Sequence, residues 1–181
     1  MTQEAADSLT IGPGPAGALV HIVTGGTGAG KTTYARALAD RLAGVRFSID
    51  EWMTRLFWMD SPQPLQFDWT MDRIGRCEAQ IREQLRQLAS RNVAGILDLG
   101  FTKAAHRAAF ADFAAEIGTA AVLHWVDISA DERWRRVSGR NTERGETFAM
   151  EVDRGMFDFM EGEWEAPTAE ELAAMHGQIV R

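Results

Sequence analysis

Lysine is nearly missing from this chain: two stand among 181 residues, against seventeen arginines. Cysteine occurs once, as Cys77, so no disulfide can close within the chain, and a reducing, cytoplasmic setting is the expectation. No apolar run approaches the roughly 20 residues that a membrane-spanning helix requires, so no membrane association is expected. The first residues lack the charged start and apolar core of a secretory signal. Basic charge is also short overall, with a net charge of −7. That leaves no basic footprint for duplex nucleic acid, and a nucleic-acid partner is not expected. No internal repeat is visible. What remains is an ordinary globular composition, 45% hydrophobic and 25% charged, of a length that suits one domain. Met1–Ala18, with Gly12-Pro13-Gly14-Pro15, reads as a flexible leader, and residues 19–181 as the domain.

One of the two lysines closes the most informative stretch. Gly25, Gly26, Thr27, Gly28, Ala29, Gly30, Lys31 and Thr32 fit G-x-x-x-x-G-K-[ST], the phosphate-binding P-loop, with Thr33 following. Its context is the required one: an apolar strand over Leu19–Thr24 before it and a helix from Gly30 to Leu42 after it. Glycines let successive backbone N–H groups turn inward as an anion nest. The helix start adds unpaired N–H groups and the positive end of a dipole. Lys31 can reach the outer phosphates of a nucleoside triphosphate, and Thr32 can ligate Mg²⁺.

Strands and helices alternate beyond this point. Gly44 reads as the stop of the first helix. Val45–Ile49 reads as a second strand, followed by a short helix over Glu51–Met59 that Asp50 suits as N-cap. Asp68 is placed to cap a long helix from Trp69 to Ser90, with Met71, Ile74, Cys77, Ile81, Leu85 and Leu88 as its apolar stripe. Cys77 on that stripe reads as a small core residue. Val93–Asp98 is a third strand, and Thr102 opens a helix ending near Gly118. Ala120–Val126, lacking alternation, is a strand buried on both faces. Ser129 and Glu132 have capping-box spacing for a helix to Ser138. Helices over Ala149–Glu161 and from Thr168 follow, then a terminal edge strand over Gln178–Val180. This alternation predicts an α/β fold of parallel βαβ units, with ligands gathering beyond the carboxyl ends of the strands.

Three features end strands there: the glycine loop, Asp50 and Asp98. Asp50 can take a proton from an attacking hydroxyl if it lies within hydrogen-bond reach, with Glu51 as its competitor. Asp98 resembles an acid that holds Mg²⁺ directly or through water, or else contacts the acceptor. Transferred phosphate needs mobile cations, and Arg136, Arg140 and Arg144 have lid-like placement after the fourth strand. Arg136 and Arg140 share a face if their helix continues. Lys103 and Arg107 are further acceptor-side candidates. His21 reads as a buried structural histidine, and His106 and His124 lack metal-site spacing. Trp52, Trp58 and Trp69 line either a pocket or the core.

Gly25–Thr33, Ser48-Ile49-Asp50-Glu51-Trp52, Ile96–Phe101 and Arg133–Asn141 together resemble the small P-loop kinase-like group called AAA-family ATP-binding proteins. That group is similar to polynucleotide 5′-kinases, zeta toxins, chloramphenicol phosphotransferase and gluconate kinase. The resemblance implies a P-loop NTPase fold: three αβα layers, a five-stranded parallel sheet of order 2-3-1-4-5 and a helical lid. It implies ATP with Mg²⁺ as cofactors, the loop Gly25–Thr33 as their seat, Thr32 and Asp98 at the metal, and a hydroxyl acceptor. By the same resemblance Asp50 becomes the base, and Lys31 with Arg136 or Arg140 the catalytic cations. The expected function is transfer of the γ-phosphate of ATP to a hydroxyl on a small molecule such as a sugar, nucleotide sugar or antibiotic. A nucleic-acid 5′-end kinase and a nucleotide-binding regulatory module are the alternatives. Two departures from relatives are visible. Polynucleotide kinases carry arginine three residues after the base, where this chain has Met53, and motor ATPases pair their strand-end acid with a second one, where this chain has Leu99.

Overall fold

The computed structural model describes residues 17–143 and 152–181. Most of the expected leader, and Arg144 of the expected lid, lie outside the described residues. The first strand, β1 (Val20–Thr24), is buried along its whole length, as its apolar run demands. It leads through the glycine loop into α1 (Lys31–Leu42). The chain continues through β2 (Val45–Ser48), α2 (Ile49–Leu56), a single 3₁₀ turn at Trp58–Asp60, and the long α3 (Phe67–Ala89). Then come β3 (Gly95–Asp98), α4 (Ala104–Glu116), β4 (Ala121–Val126), α5 (Ala130–Glu143), α6 (Arg154–Glu163), α7 (Ala169–Ala174) and β5 (Gln178–Val180). All strand pairings are parallel, and the sheet order is β2-β3-β1-β4-β5, the order expected.

Alternation along each strand sorts side chains to two faces. Val20 and Ile22 of β1, Leu97 of β3 and Leu123 of β4 meet Ile81 and Leu85 of α3 and Phe110 of α4 on one face. Val23, Ile96 and Val126 meet Tyr34, Ala35 and Leu38 of α1 on the other. Of the α3 stripe, Cys77, Ile81 and Leu85 are buried, while Met71 stays exposed. Among the described residues no helix is long and apolar enough to cross a membrane.

Several helix ends differ from expectation, each for a local reason. Ser48, not Asp50, caps α2: its hydroxyl accepts from the Glu51 N–H at 3.4 Å, which moves Asp50 into the first turn. Asp68 likewise sits inside the first turn of α3, which starts at Phe67 after Gln66. Lys103, not Thr102, precedes α4. Ala43 takes the left-handed end of α1, at φ 48°. Gly44 is needed for space instead, since a Cβ there would lie 2.6 Å from Ile96 Cδ1 and 2.8 Å from the Ala94 carbonyl oxygen. α5 runs on past Ser138 to Glu143, which places Arg136 and Arg140 on one helix. α6 starts at Arg154 rather than Ala149, which lies outside the described residues.

Arg107 corrects a functional expectation. It is fully buried, donating to the carbonyls of Phe101 at 3.1 Å and Glu165 at 2.9 Å, and to both carboxylate oxygens of Glu171. Its donors are consumed inside the protein, where a guanidinium is tolerable only when fully paired. It is an internal clasp between α4, α7 and the loop after β3, not an acceptor ligand. Lys103 is half-buried and pairs with Glu163 and Glu165.

His21 is buried, as expected, and shares a hydrogen bond of 3.0 Å with His124, whose other ring nitrogen meets the Tyr34 hydroxyl at 2.8 Å. Burial lowers the His21 pKa to about 4 and the His124 pKa to about 3. Both rings are therefore neutral in the fold at neutral pH. As pH falls below about 6.5, the unfolded chain binds protons that the fold refuses, and stability drops. Denaturant midpoints are expected to fall between about pH 7 and about pH 5, and His124→Gln to flatten that fall. An equal fall in the variant would contradict the assignment.

Candidate active site

The loop between β1 and α1 is shaped by three glycines at positive φ: Gly25 at 152°, Gly28 at 80° and Gly30 at 96°. Only glycine adopts such angles without strain. Space forbids side chains as well. A Cβ on Gly25 would lie 2.6 Å from the Val126 carbonyl oxygen, and one on Gly28 2.7 Å from that of Arg133. The Ala29 N–H closes the turn onto the Gly26 carbonyl at 3.2 Å. α1 has no acid in its first turn, so its dipole meets an anion unopposed. Lys31 opens this helix and folds back, its Nζ donating to the carbonyls of Gly25 at 2.9 Å and Gly26 at 3.1 Å. Thr32 and Thr33 follow in the same turn. These residues fit the phosphates of a nucleotide.

Charges of both signs converge on Lys31. Burial lowers its pKa, Asp98 and then Asp50 pull it back up, and Arg133 and Arg140 push it down. Asp98 ends β3 and is buried, its Oδ2 accepting from Arg46 Nη1 at 2.8 Å. The β2–β3 register sets Ser48 opposite Asp98, which brings the start of α2, and so Asp50, alongside it. Residue Asp50 is open to solvent, yet the surrounding protein raises its pKa by desolvation. Asp98 raises it further, while Lys31 and Arg140 lower it. Glu51, the competing base, is consumed. Burial works to raise its pKa, but hydrogen bonds from Arg46 and Arg36 outweigh this and hold the carboxyl below its usual range. Among the described residues Asp50 makes no ion pair, so it is the uncommitted acid of the two.

The arginines of α5 divide by their contacts. Arg136 Nη1 donates to the Ala29 carbonyl at 3.3 Å while Nε donates to Glu132 at 2.8 Å. The Arg140 Nε is buried and unpaired among the described residues, and its charge acts on both Asp50 and Lys31. Arg133 is the residue that the sequence reading missed. It is buried, donates from Nη1 to the Thr27 carbonyl at 3.3 Å and from Nε to that of Ile128 at 2.9 Å, and grips Glu161 of α6 with both terminal nitrogens. A Cβ on Gly26 would lie 2.3 Å from its Nη1. The available signal was its place one turn before Arg136 on the same helix. Thr27 also reaches α6, with its hydroxyl 3.5 Å from the Met160 sulfur.

The tryptophans separate too. Trp52 packs edge-on against Phe47 at 6.1 Å and Trp69 lies under Arg73 at 4.0 Å, whereas Trp58 is exposed. No group of three His, Cys, Asp or Glu side chains converges among the described residues. A Mg²⁺ carried by phosphates needs only one or two protein oxygens, which Thr32 and Asp98 can supply.

Sheet order, glycine loop and converging charges define a P-loop kinase-like nucleotide-binding fold. The family described as AAA domain matches residues 20–167, and the chain belongs to it. No curated protein matches the sequence significantly. In fold the chain is similar to a gluconokinase from Sinorhizobium meliloti 1021, at 16% identity and TM-score 0.60, over 90% of this chain and 82% of that one. It is similar to Chaetomium thermophilum Kti12 in complex with ADP-AlF3, at 18% identity and TM-score 0.61, over 89% and 88% of the two chains. A third likeness is to the Mycobacterium tuberculosis APS kinase CysC, at 16% identity and TM-score 0.54, over 83% and 84%.

Gly28→Ala meets both a positive φ and the Arg133 carbonyl, and Lys31→Met removes the loop's charge. Each is expected to weaken ATP binding, measured by calorimetry, by about tenfold or more, with the helical spectrum retained. Affinities within about twofold of the parent would contradict a phosphate seat at this loop.

Proposed function

We propose that this protein is an ATP- and Mg²⁺-dependent phosphotransferase that moves the γ-phosphate to a hydroxyl of a small molecule. The observation that carries the reading is the pairing of fields between Lys31 and an acid, Asp50, that no ion pair among the described residues consumes. A phosphate seat alone would serve any nucleotide-binding protein. A free acid beside it serves transfer.

The step is an in-line displacement. The acceptor oxygen forms a bond to the γ-phosphorus, the bond from that phosphorus to the β–γ bridging oxygen breaks, and ADP leaves with the electron pair. The hydroxyl proton passes to the Asp50 carboxylate. Lys31 and Arg140 hold charge that accumulates on the transferring oxygens. Mg²⁺, when bound, supplies further neutralisation at the phosphates, with Thr32 and Asp98 as its protein oxygens. Arg46 holds one oxygen of Asp98, which fixes the carboxylate at the end of β3. Arg133 does not face the reaction but stiffens the loop that positions the donor.

The raised pKa of Asp50 gives the pH dependence its sign. Asp50 must be ionised to accept the proton, so kcat/KM should rise with pH through a midpoint above the ordinary carboxylate value. Asp50→Asn should keep ATP binding and lower kcat by about a hundredfold or more, a loss in the range general-base removal produces. Labelled ATP with an acceptor panel and Mg²⁺ checks both. Near-parental turnover in Asp50→Asn would overturn the base. Hydrolysis indifferent to every acceptor, with nucleotide-dependent capture of a partner protein, would favour a regulatory module instead.

A further inference from the structure

The chain beyond Asp50 carries an apolar patch. Leu56, Trp58, Met59, Leu65, Phe67 and Met71 are exposed, six of the eleven exposed large hydrophobic side chains among the described residues. Met59 is 78% and Phe67 76% exposed. Single exposed apolar residues are ordinary, but a cluster of this kind marks a binding surface. The six lie within sixteen residues, at the end of α2, in the turn after it and in the first turns of α3.

The patch is tied to the site by helix geometry. α2 buries Ile49 and packs Trp52 and Met53 against the core, as does Phe57 just after it. Asp50 and Thr54 stand at i and i+4 on an exposed flank of α2, and Trp58 is exposed in the 3₁₀ turn that follows. At 1.5 Å per residue, Leu56, where the patch begins at the end of α2, lies about 9 Å along the axis from Asp50, within the span of one ring-bearing small molecule. Charge narrows the chemistry. From Asp50 through Asp72 the chain has five acids and one base, Arg55. Glu51 is paired with Arg46 and Arg36 and Asp72 with Arg73 and Arg76, which among the described residues leaves Asp50, Asp60 and Asp68. An anionic acceptor would be repelled there, and the arginines that follow on α3, Arg73 and Arg76, are already paired with Asp72.

We infer that the acceptor is an uncharged alcohol on a largely apolar, ring-bearing skeleton, seated on Trp58 and Phe67 with its hydroxyl at Asp50. This rests on the kinase reading above. The alcohol oxygen takes the γ-phosphoryl group, ADP departs with the bridging oxygen's electron pair, and the proton goes to Asp50. Stacking on Trp58 and burial against Phe67 supply binding, and the acids of the wall exclude phosphorylated competitors.

The experiment incubates the full chain with Mg²⁺ and γ-labelled ATP. Two acceptor sets are offered: uncharged alcohols, 2-(2-naphthyl)ethanol and 3-phenylpropan-1-ol, and anionic ones, glucose 6-phosphate and adenosine 5′-monophosphate. Label is expected on the uncharged set. Trp58→Ala with Phe67→Ala, both exposed and so compatible with folding, should raise KM for that set by about tenfold or more while kcat changes less than about threefold. Label on the anionic set in preference, label on neither set while ATP is bound, or an unchanged KM in the double variant would each overturn the inference. A concentration-dependent dimer that dissociates in the double variant, with KM unchanged, would instead assign the patch to a second copy of the chain. Failure of the parent protein to bind ATP would overturn the kinase reading itself.

Discussion

A lysine ammonium that has lost much of its water must be matched by oxygens and by negative charge, and the site is arranged around that need. Lys31 sits at the start of α1, where its Nζ donates hydrogen bonds to the backbone carbonyls of Gly25 and Gly26. Those carbonyls alone do not neutralise a charge. Asp98 and Asp50, from the ends of two other chain segments, supply the compensation, and each pulls the ammonium's pKa back toward its usual value. Parallel strands with the order β2-β3-β1 place these ends side by side. The sheet topology is thus what converts three distant sequence positions into one electrostatic unit.

The same unit explains why the loop needs rigid backing. Glycines that leave room for phosphates leave the loop without side chains of its own to hold it. Arg133 supplies the support from outside, bound to the Thr27 and Ile128 carbonyls and fixed by Glu161 of α6. A buried guanidinium paired on all sides is costly to break, so this contact favours one loop conformation. On the other side of β1, Thr24 donates to the Phe101 carbonyl at 3.0 Å, and Arg107 grips that same carbonyl. Phe101 adopts φ 44°, an angle unusual for a bulky side chain and held by these two donors and by its burial. Two buried arginines brace the strand ends that carry the candidate site.

Much of this was legible in the sequence because it is local. The glycine loop, the buried strands and the order of elements follow from spacing and apolar runs, and the sheet order followed from a family resemblance. Asp50 and Asp98 stood out because acids ending strands fall where ligands gather. What the sequence hid is set by partners far along the chain. Arg107 looked like a ligand of the acceptor until Glu171, 64 residues away, claimed it. Arg133 looked like one arginine among many because Glu161 and the Thr27 carbonyl are distant in sequence. The helix caps slipped by one or two residues where neighbouring side chains could all do the job, as at Ser48 against Asp50.

The most direct measurement is a titration of the Asp50 carboxyl by carbon NMR, in the parent protein and in Lys31→Met. A midpoint above that of an ordinary carboxylate, moving higher still when the lysine charge is removed, is the predicted result. An ordinary midpoint, indifferent to Lys31, would contradict the claim that the two form one centre for phosphoryl transfer.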